Sequence, residues 1–169
     1  NFLLDTGGAS FLIDCGLVQG RHNAEEDNWK PFPYKPSDIP FLIVTHAHID
    51  HIGRIPKLVK DGFKGRIIST EATRSLAEPL LLDSMELLSH DARKHGHEPL
   101  YESHDISKSM KLWEGMPYHK QVELMGGMRM QFLDAGHILG SAMVEFTRLS
   151  AQAGGGKKLV FTGDLGGGN

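Results

Sequence analysis

Phe41-Leu42-Ile43-Val44-Thr45-His46-Ala47-His48-Ile49-Asp50-His51-Ile52-Gly53 joins an apolar run to three imidazoles and a carboxylate packed into six residues. The run follows Pro40 and is short and mostly branched, so it reads as a buried strand that empties into a loop. His46 and His48 are two apart; in extended backbone their side chains leave the same side, where two imidazoles can share a metal ion. Asp50 and His51 come where the chain turns into a helix, and they point elsewhere. Four ligand-type side chains pointing two ways exceed what one tetrahedral ion needs. The pattern therefore predicts a two-metal site, with zinc favoured by the nitrogen and oxygen donors. A packing role is the competing reading and has little behind it. Burying several unpaired polar groups costs about 1 to 3 kcal/mol each, and an ion removes that cost.

Outside this stretch the composition sets bounds. With 169 residues the chain can bury one sizeable core, and 40% hydrophobic with 23% charged residues is ordinary for a globular protein. No apolar run approaches the roughly 20 residues a bilayer span needs, and no signal-peptide pattern opens the chain, so a soluble, cytoplasmic protein is expected. Cys15 is the sole cysteine, which excludes an internal disulfide and thiolate zinc clusters. A net charge of −3 and a pI of about 6.4 argue against a basic module that grips nucleic acid by charge alone. Asn1 opens without methionine inside a predicted strand, and Gly166-Gly167-Gly168-Asn169 ends directly after a motif, so we expect an excerpt of a longer protein.

Phe2-Leu3-Leu4 and Phe11-Leu12-Ile13 flank Thr6-Gly7-Gly8 and predict a hairpin. Asp14 after it is read as a carboxylate that orients the ligands or caps the loop. Residues 19–40, with four prolines, predict an irregular excursion pinned by Trp29, Phe32 and Tyr34. Ile52, Ile55, Leu58 and Val59 then keep helical spacing, Asp61-Gly62 ends the helix, and Arg66-Ile67-Ile68-Ser69 is the next strand, parallel to the first. Glu71 to about Lys94 predicts a helix broken or kinked at Pro79, and about Ile106 to Trp113 a second one. The remaining strands are Val122–Met125 and Met128–Leu133 around Gly126-Gly127, the alternating Val144 to Thr147, and Leu159–Thr162 beyond the glycine-rich Ala151–Gly156. Met125, Met128 and Met130 are expected to fill core. His22, His90, His95, His97, His104 and His119 match no compact ligand spacing and are expected at the surface.

His137, in Asp134-Ala135-Gly136-His137-Ile138-Leu139-Gly140-Ser141-Ala142, and Asp164, in Phe161-Thr162-Gly163-Asp164-Leu165-Gly166, also follow predicted strands. Together with H-x-H-x-D-H the three segments resemble the metallo-β-lactamase superfamily, over essentially the whole chain. The resemblance implies that His46, His48 and His137 hold one metal, Asp50 and His51 the other, and that Asp164 bridges both. Leu12-Ile13-Asp14-Cys15-Gly16-Leu17-Val18-Gln19-Gly20 and the two later segments look like the β-CASP branch of RNA- and DNA-processing nucleases. The expected fold is thus an α/β metallo-β-lactamase-like αββα sandwich: two sheets face to face, helices outside, metals at one edge. One hydrolase domain over 1–169 is expected, truncated at both ends. The β-CASP cap, the last ligand of the second metal and the proton donor would lie elsewhere.

The implied function is a zinc-dependent ribonuclease core acting on single-stranded RNA. Two zinc ions would lower the pKa of a shared water toward 7. Asp50 and Asp164 would orient that water and accept its proton. A thioester or lactone hydrolase of the same fold, like glyoxalase II, is the alternative, and a non-enzymatic assembly module is a third reading. The fragment is expected to hold the His46/His48/His137/Asp164 metal better than the second one.

Overall fold

The computed structural model describes residues 1–6, 10–20, 24–148 and 158–167. Strands β1 (Phe2–Asp5) and β2 (Ser10–Ile13) pair antiparallel, as the hairpin reading requires; the turn between them and the glycine-rich Ala151–Gly156 lie outside the described residues. The excursion that follows carries the short α1 (Ala24–Asp27) and a 3-10 turn at Pro36–Asp38, with Phe32 buried in the core and Trp29 and Tyr34 packed against it. Next come β3 (Phe41–Ile43), α2 (Ile49–Ile52), α3 (Ile55–Lys60), β4 (Arg66–Thr70), α4 (Glu71–His95), α5 (Ser103–Leu112) and β5 (Trp113–Met116). These strands form one sheet in the order β1-β2-β3-β4-β5, parallel from β2 onward. The second sheet is antiparallel, in the order β6 (Val122–Glu123), β7 (Met128–Asp134), β8 (Ala142–Arg148), β9 (Lys158–Phe161).

Side-chain alternation decides what each face of the first sheet meets. Leu12, Leu42, Ile67 and Trp113 stand in register and pack with Leu58, Leu81 and Ile106 of the helices. Phe11, Ile13, Phe41, Ile43 and Ile68 face the other way, onto Met130, Phe132, Val144 and Phe146 of the second sheet. The outer face of that sheet is partly polar, with Gln131 and Lys158 both bonded to Glu145 and Val160 exposed opposite it. Helix, sheet, sheet is therefore the layer order among the described residues; no described helix covers the second sheet's outer face.

Four local expectations change. The helix after the histidines is two helices, because the chain steps at Gly53-Arg54 and Pro56 then occupies the first turn of α3, where its missing N–H costs nothing. Pro79 does not break α4, which runs 25 residues through it and stops at Gly96 in a left-handed cap. Trp113 opens a strand rather than ending a helix: its indole donates to Ser69 Oγ at 2.9 Å, and β5 pairs with β4. Met128 and Met130 are core, whereas Met125 is 55% exposed at the turn.

Candidate metal centre

The parallel strands β2, β3 and β4 end at one edge of the first sheet, with Asp14 just after β2, Thr45 just beyond β3 and Thr70 closing β4. Ala142 N donates to Thr45 O at 2.9 Å, so the start of β8 is tied to the segment carrying His46. Gly166 N donates to Ala135 O at 2.9 Å, which brings the segment after β9 onto the loop after β7. His137 and Asp164 thereby reach the histidines of the first sheet.

One ligand atom each from His46, His48, His137 and Asp164 lies within 4.8 Å of all the others. His46 Nε2 is 3.0 Å from His48 Nδ1, and His137 Nε2 is 3.2 Å from that same Nδ1. A proton on His48 Nδ1 can serve only one of the two nitrogens facing it, so this grouping of three ring nitrogens leaves a lone pair aimed inward without a donor. Around a tetrahedral zinc with Zn–N of about 2.0 to 2.1 Å, neighbouring donors stand about 3.3 Å apart. The observed spacings are close to that, and the donor set of three imidazoles and one carboxylate fits such an ion.

The second group shares a carboxylate with the first. Asp164 Oδ2 is 3.7 Å from both His46 Nε2 and His137 Nε2, while its Oδ1 is 3.5 Å from His51 Nε2. Asp50 Oδ2 is 3.7 Å from the same His51 Nε2. All six residues assigned from the sequence are thus at one place, His46 fully buried on the floor and Asp50 and Asp164 exposed at the mouth. Only the first four reach mutual ligand distance among the described residues.

A hydrogen-bond system behind the candidate ligands orients the rings of His46 and His51. Asp14 Oδ1 accepts from Thr45 N (2.8 Å), and its Oδ2 accepts from Thr45 Oγ1 and His51 Nδ1, both at 2.9 Å. The single Thr45 hydroxyl proton is committed to Asp14, so Thr45 Oγ1 takes the Nδ1–H of His46 at 3.1 Å. That assigns the proton of His46 to Nδ1 and leaves Nε2 bare toward His48 and His137. Burial, with the nearby His51 charge second, lowers the His46 pKa to about 4, so the ring is neutral at pH 7. Burial also pulls on His51, but the bond and charge of Asp14, with Asp50 and Asp164, outweigh it and raise the pKa. Cys15, adjoining this system, is buried and its thiol is pushed up to about 12.

The orienting role expected for Asp14 is what its contacts describe. Thr45 carries no such signal in the sequence, because a hydroxyl shows its function only through its partners. The six other histidines stay out of the centre where described. His90, His104, His97 and His119 are exposed, His97 stacked on Trp29 at 5.3 Å. His22 and the side chain of His95 lie outside the described residues.

A family model described as the metallo-β-lactamase superfamily matches residues 1–122. The chain belongs to the metallo-β-lactamase superfamily. Its relatives agree with the narrower β-CASP resemblance. The chain is 36% identical to ribonuclease TTHA0252 of Thermus thermophilus over 97% of its own length and 34% of the relative's. It is 37% identical to transcription termination factor FttA of Methanosarcina mazei over 96% of its length and 24% of the relative's. Against cleavage and polyadenylation specificity factor subunit 3-I of Arabidopsis thaliana the identity is 33%, over 93% and 21%. The chain thus spans between about a fifth and a third of these curated relatives. Among solved structures, a metallo-β-lactamase of Cronobacter sakazakii aligns at TM-score 0.55 and 20% identity over 97% of this chain and 52% of that one. A B3 enzyme with an active-site glutamic acid aligns at 0.54 and 18%, over 94% and 53%. These likenesses speak for the superfamily fold.

Proposed function

We propose that this chain is the metal-holding part of an RNA-cleaving nuclease that hydrolyses phosphodiester bonds with zinc. The observation that carries the proposal is the meeting of His46, His48, His137 and Asp164, with Asp50 and His51 on the far side of the Asp164 carboxylate. Supporting the RNA substrate are relatives named as a ribonuclease, a transcription termination factor and a cleavage and polyadenylation factor subunit. Zinc is preferred because the donors are imidazole nitrogens and carboxylate oxygens.

In this reading His46, His48, His137 and Asp164 would hold the first ion, and Asp50, His51 and Asp164 would contribute to a second, more weakly held one. Bound ions supply Lewis acidity toward the phosphoryl oxygen and make an attacking water acidic at neutral pH. The chain's own residues do the rest. His46 presents a bare Nε2 because Thr45 and Asp14 hold the proton on Nδ1. Asp164 presents one oxygen to each half of the centre, so an attacking water placed between the halves is oriented by it. Asp50, exposed beside His51, accepts the proton that water gives up. Access is from the Asp50 and Asp164 side, where a single strand of RNA can bring a phosphate to the mouth. No described helix is long and apolar enough to cross a membrane. A buried, reduced Cys15 and an RNA substrate fit the cytoplasm.

The test is cleavage of a labelled single-stranded RNA by the full-length protein with zinc present, beside a thioester substrate. RNA cleavage lost in His137→Ala and Asp164→Ala is the expected result. Thioester turnover without RNA cleavage overturns it in favour of the other hydrolase class.

A further inference from the structure

His137 reaches the centre on a loop of the second sheet, 89 residues beyond His48, and a metal group tolerates only a few tenths of an ångström of misplacement. What seats that loop against the first sheet lies at its other end. Thr70 finishes β4 and caps α4, accepting from Thr73 N at 3.2 Å; both threonines are buried, 3% and 0% exposed. Their hydroxyls converge on one carbonyl: Gly140 O is 2.7 Å from Thr70 Oγ1 and 2.9 Å from Thr73 Oγ1. The two hydroxyl oxygens are also 3.0 Å apart, and each has one proton; giving both protons to the two lone pairs of the carbonyl satisfies all three groups while Thr70 keeps accepting from the helix.

The seat is close-fitting. Gly140 has φ +83°, and a Cβ there would stand 2.6 Å from Thr73 N and 2.9 Å from Thr70 Oγ1. Between Gly140 and the ligand, Ser141 Oγ accepts from the backbone N–H groups of His137 (3.0 Å) and Ile138 (3.2 Å). Displacement at Gly140 is therefore passed on to His137 rather than absorbed by a slack loop.

We propose that Thr70 and Thr73 are positioning residues for His137: their paired hydroxyls on the Gly140 carbonyl set the height of the His137 loop over the first sheet. The fit of the His46/His48/His137/Asp164 group depends on that height. The proposal rests on the metal-centre reading above. Orienting partners behind metal ligands typically govern affinity by about 10- to 100-fold.

The test compares Thr73→Val, Thr70→Val/Thr73→Val and Thr73→Ser with wild type in the full-length protein. Zinc affinity is read by chelator competition, the visible spectrum with Co2+ in place of zinc, and the unfolding midpoint without metal. Thr73→Val is the cleaner variant, because the α4 cap accepts through Thr70 and is kept. Ile106→Val, in the helical core and outside the centre, serves as a stability control. The expected result is affinity about tenfold weaker in the double variant, less so in Thr73→Val, with an altered Co2+ spectrum in both. Thr73→Ser should restore the affinity and spectrum, and Ile106→Val should lower the midpoint alone. Wild-type affinity and spectrum in the double variant overturn the proposal, as does an equal affinity loss in Ile106→Val. If the double variant does not fold, Thr73→Val decides by the same criteria. A wild-type protein that takes up no zinc overturns the metal-centre reading itself, and this proposal with it.

Discussion

Asp14 sits at φ +55°, a left-handed conformation that Asp and Asn tolerate better than other residues with a side chain. From there its carboxylate takes three hydrogen bonds, and the orientation of both His46 and His51 follows from them. Asp14→Asn keeps the backbone tolerance but replaces one acceptor oxygen with an NH2 group, which cannot accept. We expect zinc affinity to fall by about 10- to 100-fold, measured by chelator competition. Its neighbour Cys15 makes a different prediction. A thiol pushed up to about 12 by burial holds its proton in the folded chain, while the unfolded thiol, with its ordinary value of 9.0, releases it first. The contribution to stability is therefore complete below pH 9 and is lost as pH rises from 9 toward 12. Denaturant titrations across that range should show it, and iodoacetamide at pH 8 should label Cys15 only once the chain is unfolded. At this scale the candidate ligands stood out because imidazole and carboxylate at short spacing have few other uses. Thr45, Thr70 and Thr73 did not, since a buried hydroxyl is ordinary until its partner is known.

The helix α4 shows what periodicity misses. Pro79 has no N–H for the carbonyl of Ser75, yet the helix continues, because Pro79 and Ser75 are both exposed and water can serve that carbonyl. Pro79→Ala should stabilise the protein by up to about 3 kcal/mol, the interior cost of proline, seen as a higher urea midpoint. No buried contact is given up in exchange. The strands with clean alternation, β7 and β8, and the branched runs β3 and β4 could be read directly from their residues. The strand β5 could not: Trp113-Glu114-Gly115-Met116 has a glycine and little alternation, and it extends through pairing with β4 and the Trp113–Ser69 bond. Element existence follows local pattern, and such tertiary rescue leaves no local mark.

Over the whole molecule, two sheets packed through Phe11, Ile43, Phe132 and Phe146 hold the ligand-bearing loops at a common edge. The sandwich was foreseeable because parallel strands with intervening helices and later hairpins have few ways to bury both apolar faces. The coverage of only the first sheet by described helices was not, as no single segment encodes it. Each sheet also uses an unbroken portion of sequence, residues 2–116 for the first and 122–161 for the second. The centre draws on both, taking His46, His48, Asp50 and His51 from one portion and His137 and Asp164 from the other. A cut in the connection 117–121 would spare every strand, so two separately encoded pieces should reassemble by complementation when co-expressed. Zinc should be retained by the reconstituted pair and by neither piece alone, which metal analysis of the purified species would show; the ion would then report that the two pieces have joined.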